Sequence, residues 1–145
     1  MKVVNAALCL IFVLGMFVQS PLASEAEKSL FVNLTSNEIN RAAMAINIST
    51  RVLRQKKIPV TIFLNVDGVR LVDKDGAEHK HASGKSLKHM LTEFIDAGGT
   101  VLACPMCMKN VGGLTKDDLL TGVVVGGSDT TWPALFKDGV TVLSY

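Results

Sequence analysis

The stretch FIDAGGTVLACPMCMKN, residues 94–110, holds a helix end, a turn, a strand and a second helix start in immediate succession. Upstream of it, Leu87, Met90, Leu91, Phe94 and Ile95 recur at i, i+3, i+4, i+7 and i+8, which predicts a helix over Ser86–Ala97 with one apolar face. Gly98 is its stop signal. Thr100 to Ala103 reads as a short buried strand. Pro105 cannot continue a strand ladder, but it suits the first turn of a helix, where its missing N–H would be unbonded anyway. Cys104 then falls at the N-cap and Cys107 in the first turn. Helix, strand and helix joined this tightly argue for a parallel sheet covered by helices.

Reading outward supports that frame. Leu30 to Leu34 is a short apolar run, and Thr35-Ser36-Asn37-Glu38 matches a capping box. A helix is expected from about Asn37 to Gln55, with Ile39, Ala42, Ala43, Ile46 and Leu53 inward and Arg41, Arg51 and Arg54 solvated. Val60 to Val66 is apolar on nearly both faces, as in a parallel strand covered on both sides, and the turn pair Asp67-Gly68 ends it. Asp73 to Lys85 is polar and reads as an exposed loop. Beyond the cysteines, a helix start is expected over Thr115–Leu120 and a strand over Gly122–Val125. Ser128 or Asp129 caps a helix running to about Phe136, and Val140–Leu143 is the last strand. The expected fold is α/β: one domain, a three-layer sandwich, with a mostly parallel central sheet of about five strands and helices on both faces.

The ends and the composition narrow the setting. Lys2 precedes a nearly unbroken apolar run, Val3 to Val18, and small residues follow. This is the layout of a secretory signal peptide over residues 1–26, with cleavage open to Ala23 or Ala26, which leaves residues 27–145 as the domain. The alternative, an uncleaved membrane anchor, fits less well because the run is short for a span. The expected location is therefore periplasmic or secreted, with no stable membrane insertion once the leader is removed. The chain is 145 residues long, 48% apolar and 19% charged, with a formal charge of +2. That suits one folded domain. It shows neither a basic run nor an aromatic platform for nucleic acid.

Cys9 leaves with the leader, so the domain holds Cys104 and Cys107 alone. A bridge across so short a loop removes little unfolded-state entropy, which makes a structural staple a weak account of the pair. A strand-end position does better. In open α/β sheets, ligands gather at the carboxyl ends of strands. A cysteine beside unpaired N–H groups there favours the thiolate, the nucleophilic form. Both cysteines are candidate catalytic residues, and the plain alternative is that both pack as small hydrophobes.

A metal reading competes. Zn(II) needs four ligands, and His79, His81 and His89 stand far along the sequence on polar or helical positions. Cu(I) accepts sulfur from Cys104, Cys107, Met106 and Met108, although alternate methionines at a helix start point in different directions. No cofactor is expected, because Gly112-Gly113 and Gly126-Gly127 lack the spacing of a phosphate-binding fingerprint. The Asn33 and Asn47 glycosylation triplets fall in a strand and a helix. Asp117 and Asp118 read as helix-start acids, and Trp132 suits a cleft, a subunit contact or the core equally.

Taken together, FVNLTSNEINRAAMAINIS, VTIFLNVDGVRLV and FIDAGGTVLACPMCMKNVGGLTKDDLLTGVVV resemble the DsrE/DsrF-like family, the fold of TusD/YchN-type sulfur-relay proteins, over about residues 29–145. The resemblance implies homo-oligomers, trimers or hexamers. It also implies that Cys104, just after a strand, accepts a persulfide sulfur, with Cys107 matching a second cysteine of some members. The leader departs from the cytoplasmic relays, so their substrate does not carry over. The implied function is an exported thiol protein, a sulfurtransferase or sulfur carrier, that meets a sulfur donor or acceptor protein or a small sulfane-sulfur compound. A periplasmic Cu(I) or Zn(II) module and a dithiol–disulfide oxidoreductase remain the competing readings. Lys80, Lys85 and Lys88 are candidates for steering an anionic donor.

Overall fold

The computed structural model describes residues 27–145; the expected leader, residues 1–26 with Cys9, lies outside them. Five strands form one sheet: β1 (Ser29–Leu34), β2 (Val60–Leu64), β3 (Thr100–Ala103), β4 (Val124–Val125) and β5 (Val140–Ser144). Their order is β4-β3-β2-β1-β5 and every pairing is parallel. The α/β fold with five parallel strands is thus as the sequence implies.

Two helices fill the connections between the first three strands. These are α1 (Ile39–Lys56), between β1 and β2, and α2 (Leu87–Asp96), between β2 and β3. Both crossovers step the same way along the sheet, so right-handed connections put both helices on one face. There Leu30, Val32 and Leu34 of β1 and Val60, Ile62 and Leu64 of β2 meet Ala42, Ala43 and Ile46 of α1 and Leu91 and Phe94 of α2 in one buried core. Phe94 is 0% exposed, so truncating it to alanine costs about 3–5 kcal/mol. The intervening strand residues turn to the opposite face, where the Phe31 and Phe63 rings lie 6.0 Å apart. The connection from β4 to β5 runs back across the sheet, which brings its short helix, α4 (Thr131–Leu135), to that second face.

The glycine turn after α2 works by close approach. Gly98 takes φ 93°, and a Cβ on Gly99 would overlap the Phe94 ring, so the chain doubles back over that ring into β3.

Four local expectations need correction. The capping box fails: α1 begins at Ile39, and Glu38 itself is the cap, its carboxylate accepting from the N–H groups of Asn40 at 3.0 Å and Arg41 at 2.8 Å. The Thr35 hydroxyl instead donates to the Tyr145 carbonyl at 2.7 Å, because β5 returns beside β1. On α1, Leu53 is only half-buried, whereas Ser49 is buried and donates to the Ala45 carbonyl at 2.7 Å. β2 stops at Leu64; Asp67-Gly68 does not form an isolated turn but lies in a 3-10 helix over Val66–Val72. Gly68 is needed there, since a Cβ would overlap the Leu34 carbonyl oxygen. Finally, α4 starts at Thr131, one or two residues later than expected, and no side chain caps it.

Candidate functional site

Cys104 is the first residue beyond β3. Its N–H donates to the Leu64 carbonyl at 2.8 Å, which extends the β2–β3 pairing by one step. It is the N-cap of α3 (Pro105–Cys107), and its carbonyl accepts from the Met108 N–H at 2.8 Å. That single α turn widens into a π turn over Met108–Gly112, which ends at Gly113 with φ 68°. The placement inferred from Pro105 is therefore the one observed. The side chain of Cys104 makes no capping hydrogen bond. The two methionines diverge: Met108 is 4% exposed and packs in the core, whereas Met106 is 69% exposed, so packing accounts for only one of them.

Both cysteines are free and partly buried. Cys107 leans on three things. Burial pushes its thiol above the ordinary cysteine range; the main-chain N–H of Val66 opposes this; Cys104 pushes it up again. Cys107 therefore holds its proton more firmly than a free cysteine does, and Cys104 adds to that hold. A short helical turn is responsible, because it brings positions i and i+3 to the same side.

Val66 is the residue that sequence reasoning missed. Its side chain reads as the end of a strand, yet it adopts φ 48°, a left-handed conformation that a β-branched residue rarely takes. Its side chain is 48% exposed beside α3. Just before it, Asn65 donates from Nδ2 to Asn33 Oδ1 of β1 at 2.9 Å, and its own Oδ1 is buried without a partner among the described residues. Leu64 pairs with Ala103, so Asn65 and Cys104 are the next positions on neighbouring strands. The signal for this was the tetrapeptide Asn65-Val66-Asp67-Gly68, which marks a turn but not its handedness.

The remaining candidates lie elsewhere. His81 Nδ1 is 3.0 Å from Ser83 Oγ, and His89 Nε2 is 3.3 Å from Glu93. Among the described residues no group of three or more His, Cys, Asp or Glu side chains is placed to hold a metal ion. Lys85 binds both Glu93 oxygens at 2.7 Å, and Lys88 is bound to the carbonyls of Lys74 and Gly76, so two of the three steering lysines are already engaged. Thr115 and Asp118 form a capping box, which accounts for the acids there. Trp132 is 60% exposed and is not core. No described helix is long and apolar enough to cross a membrane.

The chain is thus a small parallel α/β domain with a cysteine at the carboxyl end of its third strand. The family comparison is specific: residues 18–145 match the DsrE/DsrF-like family, a sulfur-relay type of fold, and the chain belongs to that family. The fold is shared with the YchN protein of E. coli, at TM-score 0.66 and 16% identity over 82% of this chain and 99% of that one. It is shared too with MTH1491 of Methanobacterium thermoautotrophicum, a protein of unknown function, at TM-score 0.62 and 16% identity over 81% of this chain and 99% of that one. No curated protein matches the chain.

Proposed function

We propose that this is an exported thiol protein that binds or transfers sulfane sulfur as a persulfide on Cys104. The observation that carries this reading is the position of Cys104, the first residue past β3 and the N-cap of α3, with Cys107 one helical turn further on. Family membership supports sulfur chemistry at such a residue.

The steps balance without a further reagent. The Cys104 thiolate attacks the outer sulfur of a donor persulfide and expels the donor thiolate, leaving Cys104 as a persulfide. An acceptor thiolate then attacks that outer sulfur, and Cys104 departs as thiolate. Alternatively, Cys107 loses its proton and attacks the inner sulfur, releasing hydrosulfide and forming the Cys104–Cys107 disulfide. The raised proton affinity of Cys107 keeps this second route slow, so the loaded state persists for an acceptor.

The leader reading assigns residues 1–26 to export and residues 27–145 to a periplasmic or secreted domain. A homo-oligomer, a trimer or hexamer, is supported by the second sheet face, where Val124, Trp132, Phe136 and Val142 are all 45% exposed or more. The partner is a sulfur donor or acceptor protein, or a small sulfane-sulfur compound.

Cyanolysis tests the proposal: after incubation with polysulfide and desalting, wild type releases thiocyanate in proportion to protein and C104S releases none. Equal release from C104S rules out Cys104 as the carrier.

A further inference from the structure

A groove of about 390 Å³ lies between the second half of α1, α2 and the segment that leads into α2. Its floor is apolar, from Ile46 and Met90, which are 1% and 4% exposed. Arg51, Arg54 and Lys85 line it against one carboxylate, Glu93. That carboxylate is already satisfied by Lys85 at 2.7 Å from both oxygens and by His89 at 3.3 Å. Arg54 adds only a longer-range charge to it. Arg51 and Arg54 make no hydrogen bond or ion pair among the described residues. Two guanidinium groups one helical turn apart therefore line a concave, partly apolar space without a hydrogen-bonded or ion-paired partner among the described residues.

We propose that this groove is a second site, which binds a small molecule carrying a phosphate or carboxylate group on a short uncharged body. Arginine forks match the paired oxygens of such oxyanions, and the Asn47 amide at the wall supplies a neutral donor for the same head group. The aliphatic stems of the lining side chains, seated over Ile46 and Met90, accept the apolar part of the body. The Lys85–Glu93 pair closes one side and keeps the third cation from competing for the ligand. The site is independent of sulfur chemistry. Because α1 runs back from the carboxyl end of β1 to the amino end of β2, its second half lies toward the opposite end of the sheet from the cysteines.

The test is an NMR titration of the protein with inorganic phosphate, methyl phosphate and acetate, at ionic strength held constant with sodium chloride. The expected result is saturable shifts of the Arg51 and Arg54 Nε–H signals and of the Ser83 and Lys85 amides. Affinity should fall about tenfold or more in R51Q/R54Q, the loss expected for two charge-assisted contacts. R41Q, on the same helix but outside the groove, should bind within about twofold of wild type, because a screened remote charge contributes little. R51K/R54K, which keeps the charge but not the fork, should fall between. Stronger binding of the phosphates assigns a phosphate head, and stronger binding of acetate a carboxylate. Shifts that match those from chloride alone, or an R41Q effect as large as that of the double variant, overturn the site. So does binding of an oligoglutamate peptide without any of the three small anions. C104S should leave every one of these results unchanged, so failure here does not bear on the cysteine proposal.

Discussion

Val66 sets its main chain beside the Cys107 thiol, where it opposes the rise in proton affinity that burial causes, and it does so from a backbone with φ 48°. That conformation is costly for a β-branched side chain, by on the order of 1–3 kcal/mol. The side chain is half in solvent and recovers little of this by packing. The strain therefore goes with the placement of the main chain, not with burial. V66G should keep the turn and the N–H while relieving the strain. Urea unfolding should show a gain of up to about 1 kcal/mol, after the added freedom of the unfolded chain is set against the relief. A loss of stability in V66G would show that the valine side chain, and not the backbone, holds this corner.

Cys107 should titrate late. Burial raises its thiol, with Cys104 adding to the effect and Val66 N–H opposing it. In C104S only the first and last remain, and burial is the larger. The pH dependence of Cys107 alkylation by iodoacetamide in C104S should then have its midpoint above that of a free cysteine peptide. Wild type should shift it further. The sign for stability follows: a raised folded value means that Cys107 contributes stability in full below its unfolded value and loses it as pH rises through the folded one. Alkaline unfolding of wild type should therefore begin earlier than that of C107S. A midpoint at or below the peptide value contradicts the buried-thiol account.

Gly68 and Gly84 should separate cleanly. A Cβ on Gly68 would overlap the Leu34 carbonyl oxygen, a main-chain atom that cannot swing aside. G68A should cost at least about 2 kcal/mol, as overpacking does. At Gly84, φ is 86° but nothing lies within 4 Å of a Cβ, so G84A carries backbone strain alone, about 1 kcal/mol. Paired thermal or urea melts check the order. Equal losses would mean that the 3-10 helix over Val66–Val72 is free to move away from β1.

What the sequence made legible followed from local signals. The α2–β3 segment was placed almost to the residue, because a full apolar stripe ended at Gly98 and Pro105 marked the next turn. Cys104 at the strand end was legible for the same reason. The start of α1 was not, since Thr35 is claimed by Tyr145, 110 positions away, and no local pattern carries that contact. The end of β2 is not legible, because Val66 has a strand-forming side chain on a left-handed backbone. The Asn33–Asn65 amide pair and the Val66 corner depend on how neighbouring strands align, so they appear only in the fold. Arg51 and Arg54 read as a solvated helix face, and the groove beside them forms only when α2 and its leading segment pack there.

The most direct test of the sulfur proposal is intact mass spectrometry after timed exposure to polysulfide, on wild type, C104S and C107S. The account predicts a one-sulfur adduct on wild type and on C107S, longer-lived in C107S because internal release of hydrosulfide is blocked, and none on C104S. Sulfur uptake by C104S equal to wild type would contradict it.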